Sequence, residues 1–155
     1  MAAKKAKPLP VGKGKLGFTV SNTYSASPAK IWDAITKARH IQRFFVDKVA
    51  GDFTPKLAPV IFTWNDYGSY TLWPTRFQKG KKLEFRWTNH QGTYLTTVTF
   101  VLKRKGKLTG FEISERGWKP GHLKNAFDNC SGWSSFQDYL KAYLLKRLDL
   151  HTRTA

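Results

Sequence analysis

Glu115 is the residue whose type and position could most readily do chemistry in this 155-residue chain. It continues the alternation of Phe111 and Ile113, so strand parity turns it inward near the end of a strand. A carboxyl held in an apolar interior is pushed toward its protonated form and can serve as a general acid or base. The plainer reading is a carboxylate at the rim, paired with Lys or Arg. Arg76 and Arg86 could anchor a polar ligand group, or could lie on the solvent face. Cys130 follows Asn129 near the start of a helical stretch, where a thiolate is activated. No histidine is near enough in sequence to argue a dyad, so a buried, inert thiol is the reading adopted.

His40, His90, His122 and His151 are not spaced like a metal pair. There is no Gly-x-Ser-x-Gly, His-Glu-x-x-His, phosphate-binding glycine loop or paired-cysteine motif. No catalytic residue is therefore assigned, and neither a cofactor nor a metal is expected. The second chemical signal is aromatic, with six Trp, six Tyr and eleven Phe. Phe44, Phe45, Phe62, Trp64, Phe85, Trp87, Phe100, Phe111, Trp133 and Phe136, with Leu140 and Glu115, form the candidate ligand-binding set; Trp73 belongs to the same excess. Such residues either line an apolar pocket with a few polar groups or fill a core, and composition fits both.

The elements that must position them can be read from periodicity. Leu16 to Tyr24 is rich in β-branched and aromatic residues and reads as a strand. Ser27 is a good helix cap and Pro28 suits a first helical position, so Ala29 to Lys37 reads as a short helix. A second short helix follows over Ala38 to Phe45. Strands are then expected over Val49 to Phe53, Val60 to Trp64, Ser69 to Phe77, Lys82 to Thr88, Thr93 to Lys103 and Leu108 to Gly117. Pro74 within one of them implies a bulge or a break in pairing. After Trp118-Lys119-Pro120-Gly121 the chain is helical. Trp133, Phe136, Leu140, Tyr143 and Leu144 make one stripe, Leu148 extends it, and Gly132 is a weak point or lies near the start. The expected class is α+β: a curved antiparallel sheet of about six to seven strands wrapping a long C-terminal helix, with two short helices after the first strand.

Charge is the strongest compositional feature, at +17 with 27 Lys and Arg against 10 Asp and Glu. Lys4, Lys5, Lys7, Lys13 and Lys15 sit in a stretch, residues 1–15, that reads as a flexible basic tail. The expected domain is residues 16–150, with residues 151–155 a frayed end. Lys79, Lys81 and Lys82 lie at one turn, and Lys103, Arg104, Lys105 and Lys107 lie two turns later, at the same pole of an antiparallel meander. A field of this sign attracts nucleic acid, anionic lipid or acidic proteins, or simply aids solubility. Nucleic-acid binders add exposed aromatics beside a basic stripe. Sequence alone shows no such pairing, so nucleic acid ranks below an apolar ligand. No stretch is apolar enough to span a bilayer, and no apolar run follows the N-terminal lysines, so a cytoplasmic location is expected.

The order of these pieces resembles a known superfamily. "FTVSNTYSASPAKIW", Phe18 to Trp32, resembles the opening of START-like (SRPBCC) domains. "GWSSFQDYLKAYL", Gly132 to Leu144, resembles the closing Gly-Trp helix of the branch containing homologues of the activator of heat-shock-protein-90 ATPase. "LEFRW" at Leu83 to Trp87 and "YLTTVTF" at Tyr94 to Phe100 fit the same branch. Phe44-Phe45 stands where Trp-Phe is usual. The resemblance covers about Leu16 to Leu150 and implies a helix-grip (Bet v-like) fold. It also implies a cavity between sheet and long helix for a small hydrophobic or amphipathic molecule. The alternatives it carries are a cyclase- or hydrolase-like enzyme using an inward polar residue, and a chaperone-associated or polyanion-binding partner protein.

Overall fold

The computed structural model describes residues 9–146. The expectations for Lys4, Lys5, Lys7, Leu148 and residues 151–155 lie outside the described residues. The first strand, β1, spans Gly14–Tyr24 and is followed by helices α1 (Pro28–Thr36) and α2 (Ala38–Phe44). The cap is as its residues require: Ser27 Oγ accepts from the Lys30 amide at 3.2 Å, with Pro28 next in the first turn. Lys37, in an extended conformation, separates the two helices.

Six further strands follow: β2 (Lys48–Ala50), β3 (Val60–Trp64), β4 (Gly68–Gln78), β5 (Lys82–Thr88), β6 (Leu95–Lys105) and β7 (Leu108–Gly117). They form one antiparallel sheet in the order β1-β7-β6-β5-β4-β3-β2. A single 3-10 turn, Pro120–His122, leads into the long helix α3 (Leu123–Lys141), which closes with a π-helical segment, Ala142–Lys146. This is the helix-grip arrangement, with α3 laid across the inner face of the sheet.

Four details differ from or sharpen the reading by periodicity. β2 stops at Ala50 because Gly51 turns the chain with φ +90°, and Phe53 instead donates its amide to Thr36 O at 2.9 Å. The register slips between Pro74 and Arg76, the bulge that Pro74 implies. α3 begins well before the apolar stripe, so Gly132 lies inside it, on a side where a Cβ would meet nothing within 4 Å. Residues 9–15, assigned above to the tail, are bonded to the sheet. Leu95 donates its amide to Pro10 O at 2.8 Å, and Gly12 donates to Leu95 O at 2.7 Å. The close approach needs glycine: a Cβ on Gly14 would sit 1.8 Å from Trp118 O.

The core lies between the sheet and α3. Inward residues of β3 to β7 meet Trp133, Phe136 and Leu140, and α1 and α2 close one side with Ile31, Ile35, Ile41 and Phe44. A smaller cluster of Tyr94, Trp118 and Ala126, with Phe18 stacked on Trp118, seals the end where β1 meets the start of α3.

Candidate functional site

Glu115 is inward, as its parity predicts, and is fully buried. It is ringed by donors. Trp133 Nε1 donates to Oε1 at 2.8 Å, and Trp87 Nε1 donates to Oε2 at 2.9 Å. Thr96 Oγ1 donates to Oε2 at 2.6 Å, and Asn129 Nδ2 lies 3.1 Å from both oxygens. The reading of a rim carboxylate paired with a cation does not hold: none of these partners is charged.

Burial pushes the Glu115 carboxyl above its ordinary range, and the bonds from Thr96, Trp87, Trp133 and Asn129 pull it partly back. The donor set suits the ionised form. A threonine hydroxyl can rotate to accept, but an indole N–H cannot. Asn129 continues outward, since its Oδ1 faces His90 Nε2 at 3.0 Å, so that nitrogen carries the ring proton.

Two of the donors are tryptophans of the candidate set, and they are the floor of a larger arrangement. Trp133 lies 5.4 Å from Trp87 between ring centroids, Trp87 lies 6.3 Å from Tyr70, and Tyr70 lies 5.7 Å from Trp64. Trp64 lies 5.5 Å from Phe45, and Phe45 stacks on Trp133 at 5.8 Å. These five rings close a circuit. It runs from Trp133, 2% exposed, through the half-buried Phe45, Trp64 and Trp87 to Tyr70, 36% exposed. Trp64 Nε1 donates to Phe45 O at 3.3 Å, which ties the circuit across β3 and the end of α2.

The remaining candidates lie behind this circuit. Phe85, Phe100, Phe111 and Phe136 are buried and touch one another at 5.3 to 6.3 Å. Phe44 packs on Phe136 at 5.2 Å, Phe62 touches Phe45 at 6.4 Å, and Leu140 is fully buried. Rings that could equally have lined a cavity here pack against each other across the space between sheet and helix. Two hollows lie elsewhere. A groove of about 610 Å³ runs between α1 and the β4–β5 turn, lined by Trp32, Asp33, Lys30 and Lys79. A hollow of about 10 Å³ sits over Gly110.

Arg76 and Arg86 share the outer face with Glu84 and Thr97, away from Glu115. Cys130 is half-buried in α3. Among the described residues no cluster of His, Cys, Asp and Glu could hold a metal. Tyr70, Thr96 and Asn129 were not picked out from sequence as parts of this site. Each carried a signal: Tyr70 shares parity with Leu72, Thr96 shares parity with Val98, and Asn129 stands one helical turn before Trp133.

The profile of the family described as "Activator of Hsp90 ATPase homolog 1-like protein" matches residues 25–145. A comparison with curated proteins finds no match. Among solved structures, protein MLL2253 from Mesorhizobium loti is similar with a TM-score of 0.76 and 21% identity, over 87% of this chain and 100% of that one. The Aha1 protein of Colwellia psychrerythraea, solved as a dimer, is similar with a TM-score of 0.70 and 19% identity, over 83% of this chain and 96% of that one. DynU16, a protein of the dynemicin biosynthetic locus, is similar with a TM-score of 0.73 and 19% identity. That match covers 83% of this chain and 46% of DynU16. At these identities the likeness is one of fold.

Proposed function

The chain belongs to the Activator of Hsp90 ATPase homolog 1-like family of START-like proteins; from that premise we propose that it is a binding module. Its ligand is a small, planar, apolar or amphipathic molecule, taken up at the aromatic circuit of Phe45, Trp64, Tyr70, Trp87 and Trp133. The observation that carries this reading is the circuit itself, closed at its floor by Trp133 and half-exposed at Tyr70. Stacked and edge-on rings favour a flat partner, and each well-placed ring pair adds about 0.5–1.5 kcal/mol beyond area burial. The rings behind the circuit pack on one another, so a ligand enters by parting the circuit, with Tyr70 as its outermost leaf.

Glu115 acts here as a positioning group. Its two oxygens hold the indoles of Trp87 and Trp133 in fixed orientations, and its acceptor sites are occupied by doing so. That saturation gives no support to an acid–base role on a substrate.

The test is a nuclear magnetic resonance titration of the six indole N–H signals. The probes are a series of fatty acids and a series of flat polycyclic aromatics. Saturable shifts at Trp64, Trp87 and Trp133, weakened in Phe45→Ala, are expected. If no probe moves these three signals, or if Phe45→Ala binds as well as the parent, the reading is wrong.

A further inference from the structure

The outer face of the sheet, turned away from α3, carries an arrangement that the interior does not use. The register sets Trp73, Arg86, Thr97 and Arg116 opposite one another across β4, β5, β6 and β7. Trp73 is 42% exposed. The other five tryptophans each have a ring partner. Among the described residues Trp73 alone of the six has neither a ring partner nor a side-chain hydrogen bond. It stands exposed beside the arginine of the next strand.

The guanidinium groups in this row are held in place. Arg86 Nε donates to Thr97 Oγ1 at 3.3 Å, and an Arg116 Nη donates to Thr99 Oγ1 at 3.3 Å. Arg116 also meets Glu84 at 3.6 Å, whereas no carboxylate among the described residues pairs with Arg86 or with the neighbouring Arg76. Lys82 and Lys103 continue the same face toward the basic turns at its end. The pairing of an exposed aromatic with a basic stripe, which sequence alone did not reveal, is thus present.

We propose that this face binds single-stranded nucleic acid. One base stacks on Trp73, and Arg86, Arg76 and Arg116 take the phosphates on either side. Two features favour a single strand, and a third favours any polyanion. An exposed indole on the outer face of the sheet offers stacking that a duplex, with its bases already paired, does not use. The row spans three strand spacings, about 14 Å, enough for a few nucleotides. The +17 charge supplies the attraction that brings a polyanion to the surface. The proposal is independent of the aromatic circuit, which opens on the opposite side of the sheet.

The experiment is fluorescence anisotropy of a labelled short single-stranded oligouridine with the whole chain, repeated over a range of salt. Circular dichroism of each variant confirms the fold. Affinity is expected to fall steeply with salt. Trp73→Ala is expected to weaken binding by about tenfold, the loss of one stacked base. Arg86→Gln is expected to weaken it and to lower the salt slope by about 0.7, one phosphate contact on a single strand. In the indole spectrum the oligomer moves Trp73 and leaves Trp133 in place, the reverse of the pattern for an apolar ligand. Three results overturn the proposal: no binding at low salt, binding unchanged in both variants, or binding to phosphatidylserine vesicles with none to the oligomer.

Discussion

The indole N–H of Trp133 in α3 lies 2.8 Å from Oε1 of Glu115 near the end of β7, and both groups are sealed from solvent. This bond joins the helix to the sheet at the floor of the aromatic circuit. It also makes a charged acceptor out of a position that would otherwise be apolar. Replacing Glu115 by Gln turns an acceptor oxygen into a donor amide facing indole N–H groups. Glu115→Gln is expected to cost about 2–3 kcal/mol in urea unfolding, through unsatisfied buried donors. Trp133→Phe, which keeps the ring and loses the N–H, is expected to cost about 1–2 kcal/mol. A Glu115→Gln variant as stable as the parent would show that the network adds nothing.

The same carboxyl sets a pH dependence. Its folded value lies above its unfolded value because burial outweighs the four donors. Between those two values the folded state holds a proton that the unfolded chain has released. Stability from this group is therefore full below the ordinary carboxylate range and falls as pH rises through the raised value. Above it the contribution is flat. Unfolding at a series of pH values should show the parent losing part of its advantage over Glu115→Gln across that window. A difference that grows with rising pH would have the wrong sign.

Tyr24 ties β1 to α3. Its hydroxyl donates to Gln137 O at 3.0 Å and contacts Gln137 Oε1, while Gln137 Nε2 donates to Phe111 O at 2.9 Å. Burial, with Asp138 nearby, pushes the Tyr24 hydroxyl well above the ordinary tyrosine range. Tyr24→Phe keeps the ring and is expected to cost about 1 kcal/mol in chemical denaturation. In alkaline titration by ultraviolet difference, Tyr24 should stay protonated until the chain unfolds. A Tyr24 signal titrating in the ordinary tyrosine range would contradict the buried bond.

Two glycines should respond in opposite directions. A Cβ at Gly14 would collide with Trp118 O, so Gly14→Ala forces β1 off the β7 edge and is expected to cost about 1–3 kcal/mol. Gly132 has open space around it within α3, so Gly132→Ala is expected to stabilise by up to about 1 kcal/mol through helix propensity. Thermal unfolding of the two variants distinguishes them, and equal effects would remove the distinction.

Periodicity alone determined the architecture, because alternation and helical spacing are local properties that survive without knowledge of partners. The inward parity of Glu115, the helix stripe from Trp133 to Leu140, the Ser27 cap and the bulge near Pro74 are all of this kind. The family resemblance is carried by the order of the same local pieces. What the tertiary structure decided is which side chains meet. The closure of Phe45, Trp64, Tyr70, Trp87 and Trp133 into one circuit depends on register between strands and on the roll of α3. A set of aromatic residues without those distances fits a cavity and a filled core equally well. The partners of Glu115 were hidden for the same reason: Thr96 and Asn129 are polar residues of ordinary appearance until β6 and α3 are laid beside β7. Trp73 and Arg86 stand thirteen residues apart in the sequence. Only the pairing of β4 with β5 sets them side by side on the outer face, because cross-strand neighbours are chosen by hydrogen-bond register and not by distance along the chain.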